Sequence, residues 1–339
     1  MRPGRDEQCR TTRRARLRRI GGLLLALLPF GGVGCLTFLA LPDSDSALDV
    51  LGDLVLDPKI GCEALAVVFD VQDFPIVDDP GQVGIPFDET FIPADDGVAL
   101  KVWRLKSDID YGTIVLSNGA VGQLPCYLLV ARILYNAGFS VVMYDYRGFG
   151  GSGGEPSLKA LHGDLNTVVN WALDASGESQ VILAGVSLGA IPSVSVAAER
   201  PDDVALVVLD SPVALGEEIK RFAFFTGGRP SAFEALLPKE LITEDEISEL
   251  TMPSLLFLNE LDVITTPGQT LKLFELAGGS PELVKLPGIG HASGPYHLEV
   301  VYRYFLNDFL ERNYIVPRYG RIQETFGPSE EPNFADLPG

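Results

Sequence analysis

Histidine, cysteine and basic side chains are scarce in this chain of 339 residues. Its three histidines and four cysteines show none of the spacings that structural metal sites require. The sequence also lacks a glycine-rich phosphate loop and an internal repeat. Acidic residues outnumber basic ones by 46 to 26, which gives a net charge of -20 and argues against nucleic acid or anionic lipid as partners. We therefore expect no metal, no other cofactor and no nucleic-acid partner.

A glycine and serine turn follows one of the most apolar runs in the chain. The run 181–184 is typical of a buried strand, and it leads into Gly185-Val186-Ser187-Leu188-Gly189, followed by a helical pattern from about 188 to 200. A nucleophile at the apex of such a strand-to-helix turn needs neighbours without side chains, which the two glycines provide. This context favours Ser187 as a nucleophile over a serine in an ordinary turn.

One of the three histidines is placed to activate that serine. His291 lies in a glycine-rich loop between a predicted strand, 282–286, and the last amphipathic helix. Catalytic groups concentrate in loops beyond strand ends. His162 lies early in a helical pattern upstream of the serine, and His297 lies inside the last helix, so we expect both to be structural. For His291 the alternative is a histidine in an ordinary polar turn.

The imidazole needs a carboxylate that holds it in the reactive tautomer. Asp262 follows the predicted strand 254–258 and is the candidate, with Glu260 as the nearby competitor. The alternative for Asp262 is a turn or helix N-cap residue. The order Ser187, Asp262, His291 is the order expected when an elbow serine lies on a mostly parallel sheet.

Apolar, β-branched runs alternate with helical patterns along most of the chain. This alternation predicts an α/β fold with a mostly parallel central sheet and helices on both faces. The remaining predicted strands are 113–116, 140–144 and 204–209, and the other helical patterns are 127–137 and 158–173. Residues 212–251 interrupt this rhythm. The apolar residues of this segment pack it onto the body or, as a less favoured alternative, line a substrate pocket; they are Phe222, Phe224, Phe225, Phe233, Leu236 and Leu237.

The chain resembles serine hydrolases of the α/β-hydrolase superfamily, in particular the Bem46-like and serine-aminopeptidase (S33)-like branch. Beside the three candidate catalytic residues, the similarity rests on the segments 94–100, 142–152 (with Asp145-Tyr146-Arg147-Gly148), 209–212 and 287–291. The resemblance covers residues 88 to 312. It implies the α/β-hydrolase fold, with a catalytic domain at 88–314 and a small helical cap, at about 212–251, over the active site.

The segment after the first predicted parallel strand departs from the family pattern. Asn118 stands before Gly119 where the family commonly has histidine. Because an oxyanion hole is built from main-chain N–H groups, the resemblance still implies Ala120 and Leu188 as its donors. The substitution leaves a weakened or inactive hydrolase-like protein as an alternative.

These residues predict acyl transfer in two steps, with Ser187 as nucleophile, His291 as base and Asp262 as the partner of His291. Cleavage of an ester or thioester is favoured, and a serine peptidase or aminopeptidase-like amidase is second. A non-catalytic, membrane-tethered scaffold with a hydrolase fold is the alternative from another class. The expected substrate is a small-molecule or lipid-like acyl compound, and its binding residues are not assigned.

Residues 1–41 are interpreted as a signal peptide, a lipoprotein signal or an uncleaved membrane anchor. Eight arginines within the first 19 residues precede an apolar run from 20 to 41. Gly32-Val33-Gly34-Cys35 resembles a lipobox, with Cys35 as the lipidated residue. We therefore expect an exported protein bound to a cell-envelope membrane, with soluble secretion as the alternative.

The remaining segments are expected to be less regular. Residues 42–87 read as a linker and lead-in, and residues 315–339 read as a tail that wraps the surface or lacks fixed structure. Cys62 and Cys126 are left either as a disulfide in an oxidising compartment or as two free thiols.

Overall fold

A computed structural model of the chain describes residues 62, 77–226, 229–234 and 237–319. Within these ranges only the backbone is described at residues 222, 225, 226, 232, 233 and 319. The predictions for residues 1–41, and most of those for the linker and the tail, lie outside the described residues.

An eight-stranded sheet organises the described residues. Its strands are β1 (Phe87–Pro93), β2 (Ala99–Leu105), β3 (Thr113–Ser117), β4 (Ser140–Tyr144), β5 (Val181–Val186), β6 (Val204–Asp210), β7 (Pro253–Asn259) and β8 (Ser280–Leu286). Their spatial order is β1-β2-β4-β3-β5-β6-β7-β8. β2 is antiparallel to β1 and β4, and the pairs from β4 to β8 are parallel. The predicted, mostly parallel sheet is confirmed.

Helices connect these strands and cover the sheet. The α-helices are α1 (Leu128–Asn136), α2 (Leu161–Ser176), α3 (Ala190–Glu199), α4 (Leu215–Thr226), α5 (Pro230–Glu234), α6 (Thr243–Glu246), α7 (Pro267–Leu276), α8 (Gly294–His297), α9 (Glu299–Leu310) and α10 (Val316–Tyr319). Short 3-10 segments lie at Pro80–Val83, Leu124–Tyr127, Leu158–Ala160, Ser187–Gly189, Lys239–Leu241 and Ile247–Glu249, and a π-helical segment lies at Glu311–Ile315. The helices predicted at 127–137 and 158–173 match α1 and α2.

The sheet separates two apolar cores. β3, β4 and β5 are buried at every position, as expected for parallel strands covered on both faces. Side chains alternate between the faces, so Val115 packs with residues of α2 and α3, whereas Ile114 and Leu116 pack with residues of α1 and α9. The catalytic candidates therefore stand on strand ends that are held from both sides.

The insertion between β6 and β7 is helical, as predicted for the cap. It contains α4, α5, α6 and two 3-10 turns. Leu237 is buried, which agrees with packing onto the body, whereas Phe224 is 83% exposed. The other four apolar cap residues named from the sequence have no described side chain.

Two features tie the ends of the described region to the body. Cys62 and Cys126 form a disulfide with a Cα separation of 5.1 Å. Of the two alternatives left open by the sequence, a disulfide and two free thiols, the structure has the disulfide. The C-terminal helix continues through α10, into the segment predicted as an irregular tail. Tyr314 packs on Phe139, and Arg318 lies over the Tyr314 ring and donates to Gln180. These contacts extend the helix beyond the predicted boundary.

Candidate active site

The turn after β5 has the geometry of a nucleophile elbow. Ser187 lies at its apex with a left-handed backbone, φ 53°, which costs a non-glycine residue about 1 to 3 kcal/mol. A Cβ at Gly185 would lie 2.6 Å from the Gly189 carbonyl oxygen, and one at Gly189 would collide with the Ser117 carbonyl. Both positions therefore require glycine. The 3-10 turn that starts at Ser187 continues into α3, which places the hydroxyl at the N-terminal end of a helix.

The three predicted catalytic side chains lie in one hydrogen-bonded chain. His291 Nε2 is 2.9 Å from Ser187 Oγ, and His291 Nδ1 is 2.8 Å from Asp262 Oδ2. Their exposed fractions are 9% for Ser187, 7% for His291 and 3% for Asp262. Asp262 and His291 lie in the loops after β7 and β8, so the carboxyl ends of parallel strands bring together residues that are distant in sequence.

The Asp262 carboxylate is held by donors on both oxygens. Oδ1 accepts the N–H groups of Ile264 at 2.8 Å and Thr265 at 2.9 Å, and Oδ2 accepts the Thr265 hydroxyl at 2.8 Å as well as the imidazole. Burial acts to raise the pKa of Asp262, but the hydrogen bond and the charge of His291, together with the Thr265 and Ser211 hydroxyls, lower it below its ordinary value. The group is therefore held as a carboxylate that can stabilise an imidazolium.

Glu260 and His297, two residues considered as alternatives from the sequence, take no part in the hydrogen bonds that join Ser187, His291 and Asp262. Glu260 is exposed and accepts the Gly288 N–H at 3.2 Å. His297 is exposed at the end of α8, a short helix that precedes α9. It is thus not inside the last long helix as predicted, because the chain breaks helical geometry at Leu298, where φ is -126°.

His162 belongs to a second serine, histidine and carboxylate set. Its Nδ1 is 2.7 Å from Ser195 Oγ, and its Nε2 is 2.7 Å from Glu199 Oε2 and 2.8 Å from Asn166 Nδ2. Ser195, however, is 1% exposed in the interior of α3, where backbone N–H groups are used within the helix. This set lacks both access and oxyanion donors, so His162 joins α2 to α3 as a structural residue.

The loop after β3 lies beside the nucleophile. A Cβ at Gly119 would lie 3.6 Å from Ser187 Cβ and 2.6 Å from the Tyr127 hydroxyl, so glycine is required there. Within the part of the chain that the structure describes, the Ala120 N–H donates to no acceptor. Leu188 lies in the first turn after the elbow, where N–H groups have no partner inside the helix. The two predicted oxyanion donors therefore belong to the residues that directly follow Gly119 and Ser187, and their role stays a prediction.

Asn118 directly follows β3 and is held by hydrogen bonds to neighbouring residues. It is 3% exposed, its Nδ2 donates to the Tyr144 carbonyl at 3.3 Å, and its carbonyl accepts the Tyr146 hydroxyl at 2.7 Å. Its Oδ1 has no partner among the described residues. The main chain that leads to the oxyanion loop is thus held by polar contacts of Asn118 and Tyr146, without the histidine of the family pattern.

Two residues next to the triad were not identified from the sequence. The Thr265 hydroxyl lies 2.8 Å from Asp262 Oδ2, 3.2 Å from His291 Nδ1 and 3.0 Å from the Ser211 carbonyl. The Ser211 hydroxyl accepts the Ala292 N–H at 2.9 Å. Thr265 follows Asp262 by three positions, a spacing that points to a local turn, whereas the contacts of Ser211 join distant segments and leave no local pattern.

A second buried carboxyl lies one strand away from Asp262. Asp210, at the end of β6, is 2% exposed, and its Oδ1 accepts Asn259 Nδ2 at 2.8 Å. Burial raises its pKa to about 6, against the opposing hydrogen bond from Asn259 and the charge of His291. Within the described ranges no hydrogen bond joins Asp210 to His291.

The described residues leave the substrate site unassigned. A cavity of about 340 Å³ lies beside the β1–β2 turn, and none of the triad residues lines it. Arg147, which does line it, forms ion pairs with Asp96 at 2.7 Å and with Asp164 at 2.6 Å. No set of side chains suited to a metal ion occurs in the described part of the chain. In the same residues, no helix is both long and apolar enough to cross a bilayer.

Comparisons with known proteins agree with this architecture. The family model "Serine aminopeptidase, S33" matches residues 110–236. An uncharacterized membrane protein of Saccharomyces cerevisiae is 30% identical over 138 residues, 40% of this chain and 49% of that protein. Protein bem46 of Schizosaccharomyces pombe is 26% identical over 172 residues, 50% of this chain and 57% of that protein. The chain thus matches about half the length of these two relatives.

A solved structure extends the likeness to the fold. An esterase of Pyrococcus furiosus superposes with a TM-score of 0.58 at 19% identity, covering 71% of this chain and 97% of that one. At this identity the likeness concerns the fold. It shows that the sheet and its covering helices follow a known architecture.

Proposed function

The chain belongs to the α/β-hydrolase superfamily, similar to its serine aminopeptidase (S33) and Bem46 branch, and from this premise we propose that it is a serine hydrolase that cleaves an acyl ester or thioester. The observation that carries the proposal is the series of hydrogen bonds from Ser187 through His291 to Asp262.

In the proposed mechanism, His291 Nε2 takes the hydroxyl proton while Ser187 Oγ attacks the acyl carbonyl. Asp262 keeps the imidazole proton on Nδ1 and stabilises the positive charge that forms. The Ala120 and Leu188 N–H groups stabilise the oxyanion, a role worth roughly 3 to 4 kcal/mol for one donor. His291 then protonates the leaving group, and a water activated by the same imidazole releases the acyl-enzyme.

An oxygen or sulfur ester is preferred to an amide as substrate. Expulsion of an amine depends fully on proton delivery from the imidazole, whereas an alcohol or thiol is a better leaving group. The esterase name of the Pyrococcus furiosus protein supports an ester, and the name of the matched family model supports an amidase with aminopeptidase character as the second candidate. The proposed substrate is a small-molecule or lipid-like acyl compound.

The first experiment is covalent labelling of the purified full chain with a fluorophosphonate probe, followed by peptide mass mapping. We expect labelling at Ser187 and its loss in Ser187→Ala. Ser195→Ala is the matched control, because Ser195 also contacts a histidine at 2.7 Å but is enclosed in α3. Labelling that survives Ser187→Ala, or a folded protein that does not label, would contradict the proposal and favour a non-catalytic scaffold.

A paired substrate assay separates the two candidate activities. Hydrolysis of p-nitrophenyl butyrate and of alanine p-nitroanilide is measured on the same preparation, and we expect kcat/KM to be higher for the ester. A higher value for the anilide would establish the amidase alternative while leaving the role of Ser187 intact.

We also propose that residues 1–41 attach the enzyme to a cell-envelope membrane, through Cys35 or as an uncleaved anchor. The apolar run in the sequence supports this, as does the description of the yeast relative as a membrane protein. Membrane fractionation of the full chain tests the attachment, and Cys35→Ala separates lipidation from an anchor. Recovery of the full chain in the soluble fraction would refute both.

A further inference from the structure

Left-handed backbone conformation is concentrated at the candidate active site. Four non-glycine residues of the described chain have a positive φ, and three of them belong to the hydrogen-bond network of His291: Ser187 (53°), Ser211 (49°) and Ala292 (46°). Such a conformation is unfavourable for a residue with a Cβ, and it persists where neighbouring contacts hold it. The elbow accounts for Ser187, but it accounts for neither Ser211 nor Ala292.

The Ser211 hydroxyl links these two strained positions to the triad. It accepts the Ala292 N–H at 2.9 Å and Asn259 Nδ2 at 2.7 Å. A hydroxyl has two acceptor lone pairs and one proton, so both lone pairs are used. The Ser211 hydroxyl also contributes to the lowered pKa of Asp262, and so stabilises the charged form of that carboxyl.

The main chain of Ser211 is fixed to the sheet. Its N–H donates to the Phe257 carbonyl on β7 at 3.3 Å, and its carbonyl oxygen lies 3.0 Å from the Thr265 hydroxyl. The residue is 0% exposed, so water does not replace these partners. The hydroxyl is therefore a fixed acceptor against which the His291 loop is placed.

We propose that Ser211 is a positioning residue, whose hydroxyl holds the backbone of the His291 loop through the Ala292 N–H and thereby keeps His291 Nε2 on Ser187. The inference rests on the proposed hydrolase function. Ala292 directly follows His291, so relaxation of its φ towards the ordinary negative range rotates the peptide that carries the imidazole. Without the Ser211 oxygen, the Ala292 N–H loses its buried acceptor, and the positive φ of Ala292 is no longer stabilised.

The test compares Ser211→Ala with Ser254→Ala. Ser254 is a matched control: it is fully buried on β7, and its hydroxyl has no partner among the described residues. Ser211→Ala removes the acceptor of the Ala292 N–H and of Asn259 Nδ2. We expect it to lower kcat by about 10- to 100-fold, the effect on the His291 loop of leaving the buried Ala292 N–H unsatisfied. We expect KM to change little, because Ser211 does not reach the serine hydroxyl, and Ser254→Ala to keep its kcat.

A rescue variant distinguishes positioning from a general loss of stability. Glycine adopts a positive φ freely, so Ala292→Gly removes the strain that the hydrogen bond opposes. We expect Ala292→Gly in the Ser211→Ala background to recover at least about threefold in kcat. An unchanged kcat in Ser211→Ala, a loss that Ala292→Gly does not reduce, or an equal loss in Ser254→Ala would overturn the inference.

A proton NMR measurement keeps the inference separate from the proposed activity. The His291 Nδ1 proton, shared with Asp262, is expected as a resolved far-downfield resonance in the wild type and in Ser254→Ala, and to exchange faster with water in Ser211→Ala. If the wild type neither labels at Ser187 nor turns over ester, the proposed function fails, and this resonance alone decides the role of Ser211. An unaltered resonance in Ser211→Ala would refute that role.

Discussion

Replacement of Asp262 by asparagine tests which buried carboxyl serves His291. In the wild type, Oδ1 of Asp262 accepts two main-chain N–H groups, and Oδ2 faces His291 Nδ1 at 2.8 Å. In Asp262→Asn the amide oxygen must take the Oδ1 position to satisfy those two donors. The amide NH2 then faces Nδ1, which has to accept, and the imidazole proton moves to Nε2. In that tautomer Nε2 cannot take the Ser187 proton.

The magnitude follows from losing the base in its reactive form. A wrong tautomer with preserved geometry lowers kcat by about 10⁴ in a serine protease, which corresponds to about 5 kcal/mol of transition-state stabilisation. We expect a similar loss here. Asp210→Asn is the matched control, because its amide oxygen can still accept Asn259 Nδ2 and no hydrogen bond joins Asp210 to His291 among the described residues.

The assay is initial-rate hydrolysis of p-nitrophenyl butyrate, with protein folding checked by circular dichroism and thermal melting. We expect Asp210→Asn to stay within about threefold of the wild-type kcat. If Asp262→Asn keeps more than about one tenth of kcat, or if Asp210→Asn loses as much as Asp262→Asn, the assignment of the carboxylate is wrong.

Three further predictions concern stability and local geometry. The pKa of Asp210 is raised from its ordinary value of 3.8 to about 6, so its ionisation lowers the stability of the folded state progressively between these two pH values and by a constant amount above them. Asp210→Asn should therefore stabilise the protein by up to about 3 kcal/mol at pH 8 and by much less at pH 4, and equal urea midpoints of variant and wild type at pH 8 would contradict this. The disulfide Cys62–Cys126 closes a sequence separation of 64 residues, so its replacement by two serines should lower the free energy of unfolding by about 4 kcal/mol in denaturant titrations; an unchanged midpoint would show that the crosslink is dispensable. Gly189→Ala forces a Cβ against the Ser117 carbonyl and should abolish fluorophosphonate labelling, so near-normal labelling would show that the elbow is not as tight as described.

Much of the fold could be predicted because its signals are local. The run 204–209 is apolar over its whole length and the run 140–144 is apolar after Ser140, and the observed strands match both runs within one residue at each end. The elbow was recognisable because other main-chain atoms lie so close to Gly185 and Gly189 that both positions require glycine. The sequence pattern marked the cap only as an interruption of the α/β alternation, because no local pattern predicts how its helices pack.

The candidate site was predicted in part, for a physical reason. Ser187, Asp262 and His291 each follow a strong strand signal, so their common edge follows from parallel topology. Thr265 and Ser211 act through hydrogen bonds to main-chain atoms of other segments, and such contacts leave no trace in residue type. The contact between Ser195 and His162 shows that a hydrogen bond between a serine and a histidine is not sufficient for catalysis. Ser195 is buried, and the pair has no accessible main-chain donors that could stabilise an oxyanion.

The division of the interior into two cores affects how activity responds to heat. Leu188, beside the nucleophile, packs in the core that contains α2 and α3, whereas Ala292, beside the imidazole, packs in the core that contains α1 and α9. The hydrogen bond between Ser187 and His291 therefore joins, at the carboxyl edge of the sheet, two segments that are packed in different layers. Loosening of either layer displaces one partner before the chain unfolds, so the temperature optimum of turnover should lie below the melting temperature.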